Sequence, residues 1–277
     1  MSRPIGWLVQ PLFLALGYFS ALGFDQISPI LISQLLLFTF PYNFILYGVN
    51  DVFDYESDLR NPRKGGVEGA ILDKKYHKPI LILSLIFGIV LFIPALILGN
   101  WLMAVCTSLL LFFSVFYSAP PIRFKELPIL DSISNGLLYF LFPFFIGYSY
   151  FGSLENLPSQ TLYVFLCAVA VHAVSTITDY ELDKEMGINT IAVKVGPRPV
   201  LFFALILGIF STLAIQIPQG AEYLYIYLLA CIFMTLHLLI TPEGKLANNY
   251  GKYVVLPGLI IVGFLSIYFA YSGQISI

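Results

Sequence analysis

The sequence predicts an all-α membrane protein, a bundle of nine transmembrane helices forming one domain over residues 1–277. Three observations predict it. Hydrophobic residues fill 58% of the positions, charged residues only 11%, and the mean hydropathy is +0.86, a composition foreign to soluble domains. The apolar residues gather into runs of roughly 17–25, the length that crosses a bilayer. The basic residues fall only in every second connection between those runs.

The runs lie at 7–24, 29–50, 79–98, 101–118, 129–150, 162–178, 199–217, 222–241 and 253–271. The segment before Trp7 has no small-residue cleavage site, so the first run is expected to be a span and not a removable leader. Pro94, Pro143 and Pro257 fall inside runs, which membrane helices tolerate because neighbours satisfy the freed carbonyls. Cys106, Cys167 and Cys231 also lie inside apolar runs and read as small buried hydrophobes.

The connections test this count. Arg3 precedes the first run. Arg60, Arg63, Lys64, Lys74, Lys75 and Lys78 follow the second, and Arg123 and Lys125 the fourth. Lys184, Lys194 and Arg198 follow the sixth, and Lys245 and Lys252 the eighth. Together these are all 14 Lys and Arg; the other connections hold none. The positive-inside rule then places the N-terminus in the cytoplasm and the C-terminus outside, in the cytoplasmic membrane. No nucleic-acid partner is expected.

The chemistry gathers on that basic side. Asn50, Asp54 and Asp58 are spaced by four; on a helix each such step turns about 40° past a full turn, so the three share a face. Hard oxygen donors in this arrangement suit a divalent cation such as Mg²⁺. Acids at a helix end are commonly just solvated, but carboxylates close together need a cation or basic partner, and Arg60, Arg63 and Lys64 follow at once. Asp51 and Glu56 point elsewhere and are expected to be solvated or salt-bridged. Asp179 and Asp183 repeat the spacing at the start of the connection after the sixth run, which hints at an internal duplication. His172 and Thr176 share their face, and an ionisable group inside a span usually faces the bundle interior. After the fourth run, Pro120-Pro121 carry Arg123 and Lys125 at the rim, placed either to anchor the helix or to neutralise an anion. Asp131 and Asn135 either line the same cavity or cross-link helices. His237 is expected to be structural, and His77 has no evident partner.

Asn50-x-x-x-Asp54-x-x-x-Asp58 and Asp179-x-x-x-Asp183 resemble the two signatures of the UbiA-type intramembrane prenyltransferases. Within that family the run Tyr47–Asp58 with Asn61–Ala70, and Tyr117-Ser118-Ala119-Pro120, resemble the lycopene elongases of C50 carotenoid synthesis. The resemblance implies Mg²⁺ held by Asn50, Asp54, Asp58, Asp179 and Asp183, with those four aspartates catalytic. It implies an isoprenyl diphosphate donor, dimethylallyl diphosphate, contacted by Arg63, Lys64, Arg123 and Lys125, and a hydrophobic acceptor, lycopene or a related carotenoid. Asn50, Tyr117 and His172 complete the expected substrate contacts. The family often sets its tyrosine four residues before a lysine; here Tyr117 and Lys125 are eight apart. An aromatic quinone precursor or another lipid would use the same aspartates, so these remain alternative acceptors. An ion-coupled transporter is the alternative from another class, but its site would lie near the midplane, whereas these acids crowd the cytoplasmic ends.

Overall fold

The computed structural model describes residues 4–24, 27–61, 64, 71–151 and 153–272. Its helices run α1 Gly6–Leu22, α2 Pro29–Phe53, α3 Lys74–Leu98, α4 Trp101–Phe116, α5 Leu130–Phe151, α6 Gln160–Met186, α7 Pro197–Ala214, α8 Tyr223–Ile240 and α9 Gly244–Tyr271. Each predicted run coincides with one of them. Seven are long and apolar enough to cross a membrane, while α1 and α4 are shorter apolar helices. No strand occurs among the described residues.

Three helices extend furthest beyond the predicted runs on the basic side. α3 starts at Lys74, α6 continues to Met186 and α9 starts at Gly244. A count of apolar residues cannot see these ends, because they are polar. So Asp179 and Asp183 ride on a helix and do not open a loop. That helix stops at Gly187, whose φ of +71° is the left-handed conformation glycine adopts freely, and Ile188 N bonds back to Asp183 O at 2.8 Å.

The proline-containing helices continue by widening. Residues 137–141 and 251–255 form π-turns just before Pro143 and Pro257, easing the clash a proline ring makes with the preceding turn. α2 passes through Pro41, where Asn43 Nδ2 donates to the Phe38 and Thr39 carbonyls at 2.9 and 2.7 Å.

The chain groups into two compact units, residues 1–124 with 138–155 and residues 125–137 with 156–277. In the first, α1 lies along the second half of α5, and α2 packs on α3 and α4. α1 and α5 approach through reciprocal glycines. A Cβ on Gly17 would sit 2.1 Å from Phe144 O, and one on Gly147 2.0 Å from Leu14 O. Small residues at such crossings let membrane helices gain dispersion contacts backbone to backbone. Tyr18, Phe38, Tyr42, Met103 and Leu138 are fully buried, and the Tyr42 hydroxyl meets Ser114 Oγ at 3.0 Å. In the second unit, α6 packs on α7 and on the start of α5, and Ala173, Ile177, Ile191, Ala192, Val200, Leu201 and Leu238 form its core.

Burial runs opposite to that of a soluble protein. Leu85, Leu96, Leu213 and Ile240 are 67, 75, 82 and 78% exposed. Gln10, Gln34, Asn43 and Asp131 are buried. An apolar exterior around polar interior groups is what a bilayer solvent selects.

Candidate active site

The first acidic motif closes α2. The helix is regular to Phe53 and breaks at Asp54, where φ is −101° and ψ 8°, and a short helix Tyr55–Asp58 follows. That sparsely populated backbone region recurs at active sites. The bonds Asp54 N to Asn50 O and Asp58 N to Asp54 O, both 2.8 Å, keep the spacing of four across the break.

Asn50 Nδ2 donates to Asp54 Oδ2 and to Ser118 Oγ, each at 2.7 Å, and the Ser118 hydroxyl donates to Asp54 Oδ2 at 3.3 Å. Arg123 Nη2 stands 3.6 Å from Asp54 Oδ1. The segment after α4 therefore braces the end of α2. Arg123 holds a φ of 52°, unusual for a residue with a side chain and of the kind retained where function needs it. Lys64 Nζ lies between Asp58 Oδ2 at 2.7 Å and Asp51 Oδ1 at 2.9 Å, and its side chain is 2% exposed. Burial holds the Asp58 carboxyl above the usual carboxylate range although Lys64 pulls it down. Asp51 takes the salt-bridged alternative and is buried in it. Glu56 pairs with Lys74 at 3.1 Å in the open, an exposed pair worth little to stability.

The second motif ends α6. After Ser175 the helix tightens through Thr176–Asp179 and bends at Asp179, with φ −105° and ψ 8°, nearly the values at Asp54. The two motifs share a backbone break as well as a spacing, as an internal duplication would leave. Asp179 and Asp183 are partly exposed. Thr176 Oγ1 bonds to Ala173 O at 2.7 Å, so its hydroxyl serves the backbone. His172 Nδ1 lies 3.1 Å from Ser132 Oγ. Asp131 is fully buried and cross-links segments: Oδ1 accepts from Ser132 N at 2.6 Å and Oδ2 from Ile191 N at 2.8 Å.

Of the other predicted contacts, Tyr117 caps α4, Lys125 sits on the turn Phe124–Glu126, and Arg63 lies outside the described residues. His237 pairs with the Tyr250 hydroxyl, as expected of a structural histidine, and His77 stacks edge-on against the Tyr55 ring. Sequence reasoning missed Ser118 as a brace of Asp54, since nothing about one serine before a proline marks it. It also missed the contact of Ser132 with His172, which joins the start of α5 to the next helix, α6.

Among the described residues no three His, Cys, Asp or Glu side chains converge closely enough to hold a metal. The donor set of the first motif still fits a divalent cation. Asn50, Asp54 and Asp58 offer hard oxygens on successive turns, and the two carboxylates are 8% exposed, so their charge is poorly screened.

A polytopic helical protein with an aspartate motif at the end of its second helix and another near the end of its sixth is what the resemblance to intramembrane prenyltransferases implies. The profile of the UbiA prenyltransferase family matches residues 6–249, and the chain belongs to that family. It is 33% identical over 238 residues to a lycopene elongase/hydratase of Corynebacterium glutamicum, covering 84% of this chain and 81% of that one. It is 34% identical over 207 residues to a lycopene elongase/hydratase of Haloarcula japonica, covering 74% and 69%. The fold matches a UbiA homologue from Archaeoglobus fulgidus bound to DMAPP and Mg²⁺, with a TM-score of 0.70, 20% identity and coverage of 98% and 96%. The protein is an integral membrane prenyltransferase.

Proposed function

We propose that this enzyme transfers a C5 unit from dimethylallyl diphosphate to the end of lycopene or a related carotenoid. The observation that carries this reading is the Asn50–Asp54–Asp58 motif, its two aspartates buried, in a chain one-third identical to lycopene elongases. Asn50, Asp54 and Asp58 at the first motif, and Asp179 and Asp183 at the second, are the candidate holders of Mg²⁺, which when bound would neutralise a diphosphate leaving group. Arg63, Arg123 and Lys125 are the candidate sources of positive charge for a diphosphate. Lys64 reaches it by exchanging a carboxylate for a phosphate oxygen. The apolar walls keep water from the allylic cation until the acceptor alkene attacks. The basic connections support an N-terminus and active site facing the cytoplasm.

The test is the mass of pigments from a lycopene-producing host expressing this chain, beside an Asp54→Asn control. Lycopene gaining one or two C5 units only with the unmutated protein is the expected result. Unchanged lycopene, with the protein present in the membrane, would overturn the carotenoid acceptor and direct the search to aromatic acceptors.

A further inference from the structure

The Lys64 ammonium joins two carboxylates that face different ways. Nζ lies 2.7 Å from Asp58 Oδ2 and 2.9 Å from Asp51 Oδ1. The Lys64 and Asp51 side chains are 2 and 3% exposed, and Asp58 is buried. Asp58 keeps the spacing of four with Asn50 and Asp54 and so belongs to their face. Asp51 follows Asn50 by one residue, which puts it about 100° round the helix and off that face. Asp51 also lies within the regular part of α2, whereas Asp58 lies beyond the break at Asp54, on the short helix Tyr55–Asp58. The lysine therefore ties a carboxylate fixed by the long helix to one on the face that carries the oxygen donors.

Burial decides what such a bridge does. Taking one partner out of a buried ion pair is strongly destabilising, because the charge left behind is poorly solvated. The ammonium occupies the Asp58 oxygen that a divalent cation would need, and like charges repel strongly where water is scarce. An anion that draws Lys64 away strips Asp58 of this cation. Either ligand alone breaks the bridge, while the two together replace what each removes. Lys64 has three donors at the end of a flexible stem, so it can keep Asp51 while its other bond changes partner.

We infer that Lys64 is the resting counterion of Asp58 and that Asp51 is the positioning residue that retains it, an inference that rests on the Mg²⁺ and diphosphate sites proposed above. Lys64 gives up Asp58 Oδ2 as it donates to a diphosphate oxygen, and Asp51 Oδ1 goes on accepting from it. No covalent bond changes in the exchange. Metal and diphosphate then bind as a coupled pair, each raising the affinity for the other by the same factor.

The experiment uses the purified full chain in detergent. Mn²⁺, as a stand-in for Mg²⁺, is titrated alone by electron paramagnetic resonance, and radiolabelled inorganic pyrophosphate is bound at saturating Mg²⁺. Lys74→Met is the charge control, since Lys74 pairs with Glu56 in the open. Lys64→Met is expected to bind Mn²⁺ about tenfold tighter and pyrophosphate about tenfold weaker. Lys64→Arg keeps the wild-type affinity for pyrophosphate. Asp51→Asn leaves the ammonium to Asp58, so it weakens both probes. Lys74→Met changes neither. The opposed shifts in Lys64→Met are the signature of exchange, because a merely structural lysine would not move the two constants apart. Constants that stay at wild type, or move together, in Lys64→Met would overturn the inference. Mn²⁺ binding that survives Asp54→Asn would overturn the metal site proposed above, and this inference with it. Should Lys64→Met not fold, Asp51→Asn decides, and wild-type constants there would overturn the role of both residues.

Discussion

Replacing Gly147 by alanine adds one methyl group at the tightest point of the α1–α5 crossing. The new Cβ would lie 2.0 Å from Leu14 O and 2.8 Å from Tyr18 N. A carbon–oxygen contact needs about 3.3 Å, so the helices must part by more than about 1 Å. Both neighbours are backbone atoms and cannot turn aside. A gap of about 1 Å forfeits a quarter to a half of each dispersion contact along the interface. Overpacking alone costs about 1–3 kcal/mol, and the lost contacts bring the expectation to at least about 3 kcal/mol. At about 2–4 °C per kcal/mol for larger domains, the melting temperature of purified protein in detergent should fall by about 6–12 °C. Gly17→Ala should cost a similar amount, since its Cβ meets Phe144 O at 2.1 Å. The double variant should cost clearly less than the sum, because one separation accommodates both methyl groups. A Gly147→Ala protein melting within a degree of wild type, or strictly additive losses, would refute the reciprocal-glycine account.

Lys64→Met strips Asp51 and Asp58 of their shared cation and should lower stability by about 3–5 kcal/mol in thermal unfolding. Asp51→Asn leaves the Asp58 partner in place and should cost less; the reverse order would mean that Lys64 is not the keystone of the cluster. Ser118→Ala removes the hydroxyl that links Asn50 to Asp54 and should raise the Mg²⁺ concentration for half-maximal activity by up to about tenfold. An unchanged Mg²⁺ titration would confine Ser118 to packing. Arg123→Ala should raise donor KM more than it lowers kcat in steady-state assays, and equal binding of the donor would remove Arg123 from the diphosphate contacts. Asp183→Asn should abolish pigment elongation while the protein still purifies with a wild-type melting temperature; retained activity would take the second motif out of the site.

Much of the fold was legible because membrane helices announce themselves in long apolar runs, and the nine runs each fell on a helix. Polar helix ends were not legible in that way. Lys74, Met186 and Gly244 mark ends set by helix propensity and caps, which a hydropathy count does not weigh. The candidate site was legible as spacing. Asn50, Asp54 and Asp58 share a face because the bonds across Asp54 keep the step of four. Its internal wiring was legible in part: Lys64 follows the acids closely enough to be expected as their basic partner, whereas Ser118 reaches Asp54 from 64 residues away. Asp131 shows the same limit from the other side. Its spacing of four to Asn135 pointed equally to a cavity wall and a cross-link, and only its bonds to Ser132 and Ile191 select the cross-link.

The shared break at Asp54 and Asp179 explains why a pattern of four survives at both helix ends without an ideal helix. A continuous helix would hold the first aspartate of each motif in the same backbone state as its neighbours. The values near φ −100° and ψ 8° turn the chain at that residue, so the aspartate closes one helix and begins the next. Its carboxylate is then held less by helix geometry than by side-chain partners, which at Asp54 are Asn50, Ser118 and Arg123. A carboxylate positioned by polar neighbours can exchange them for a cation with little backbone movement. One fixed within a regular helix must carry the helix with it. The same break recurs at Asp179, so the second motif also places its first aspartate where one helix closes and the next begins.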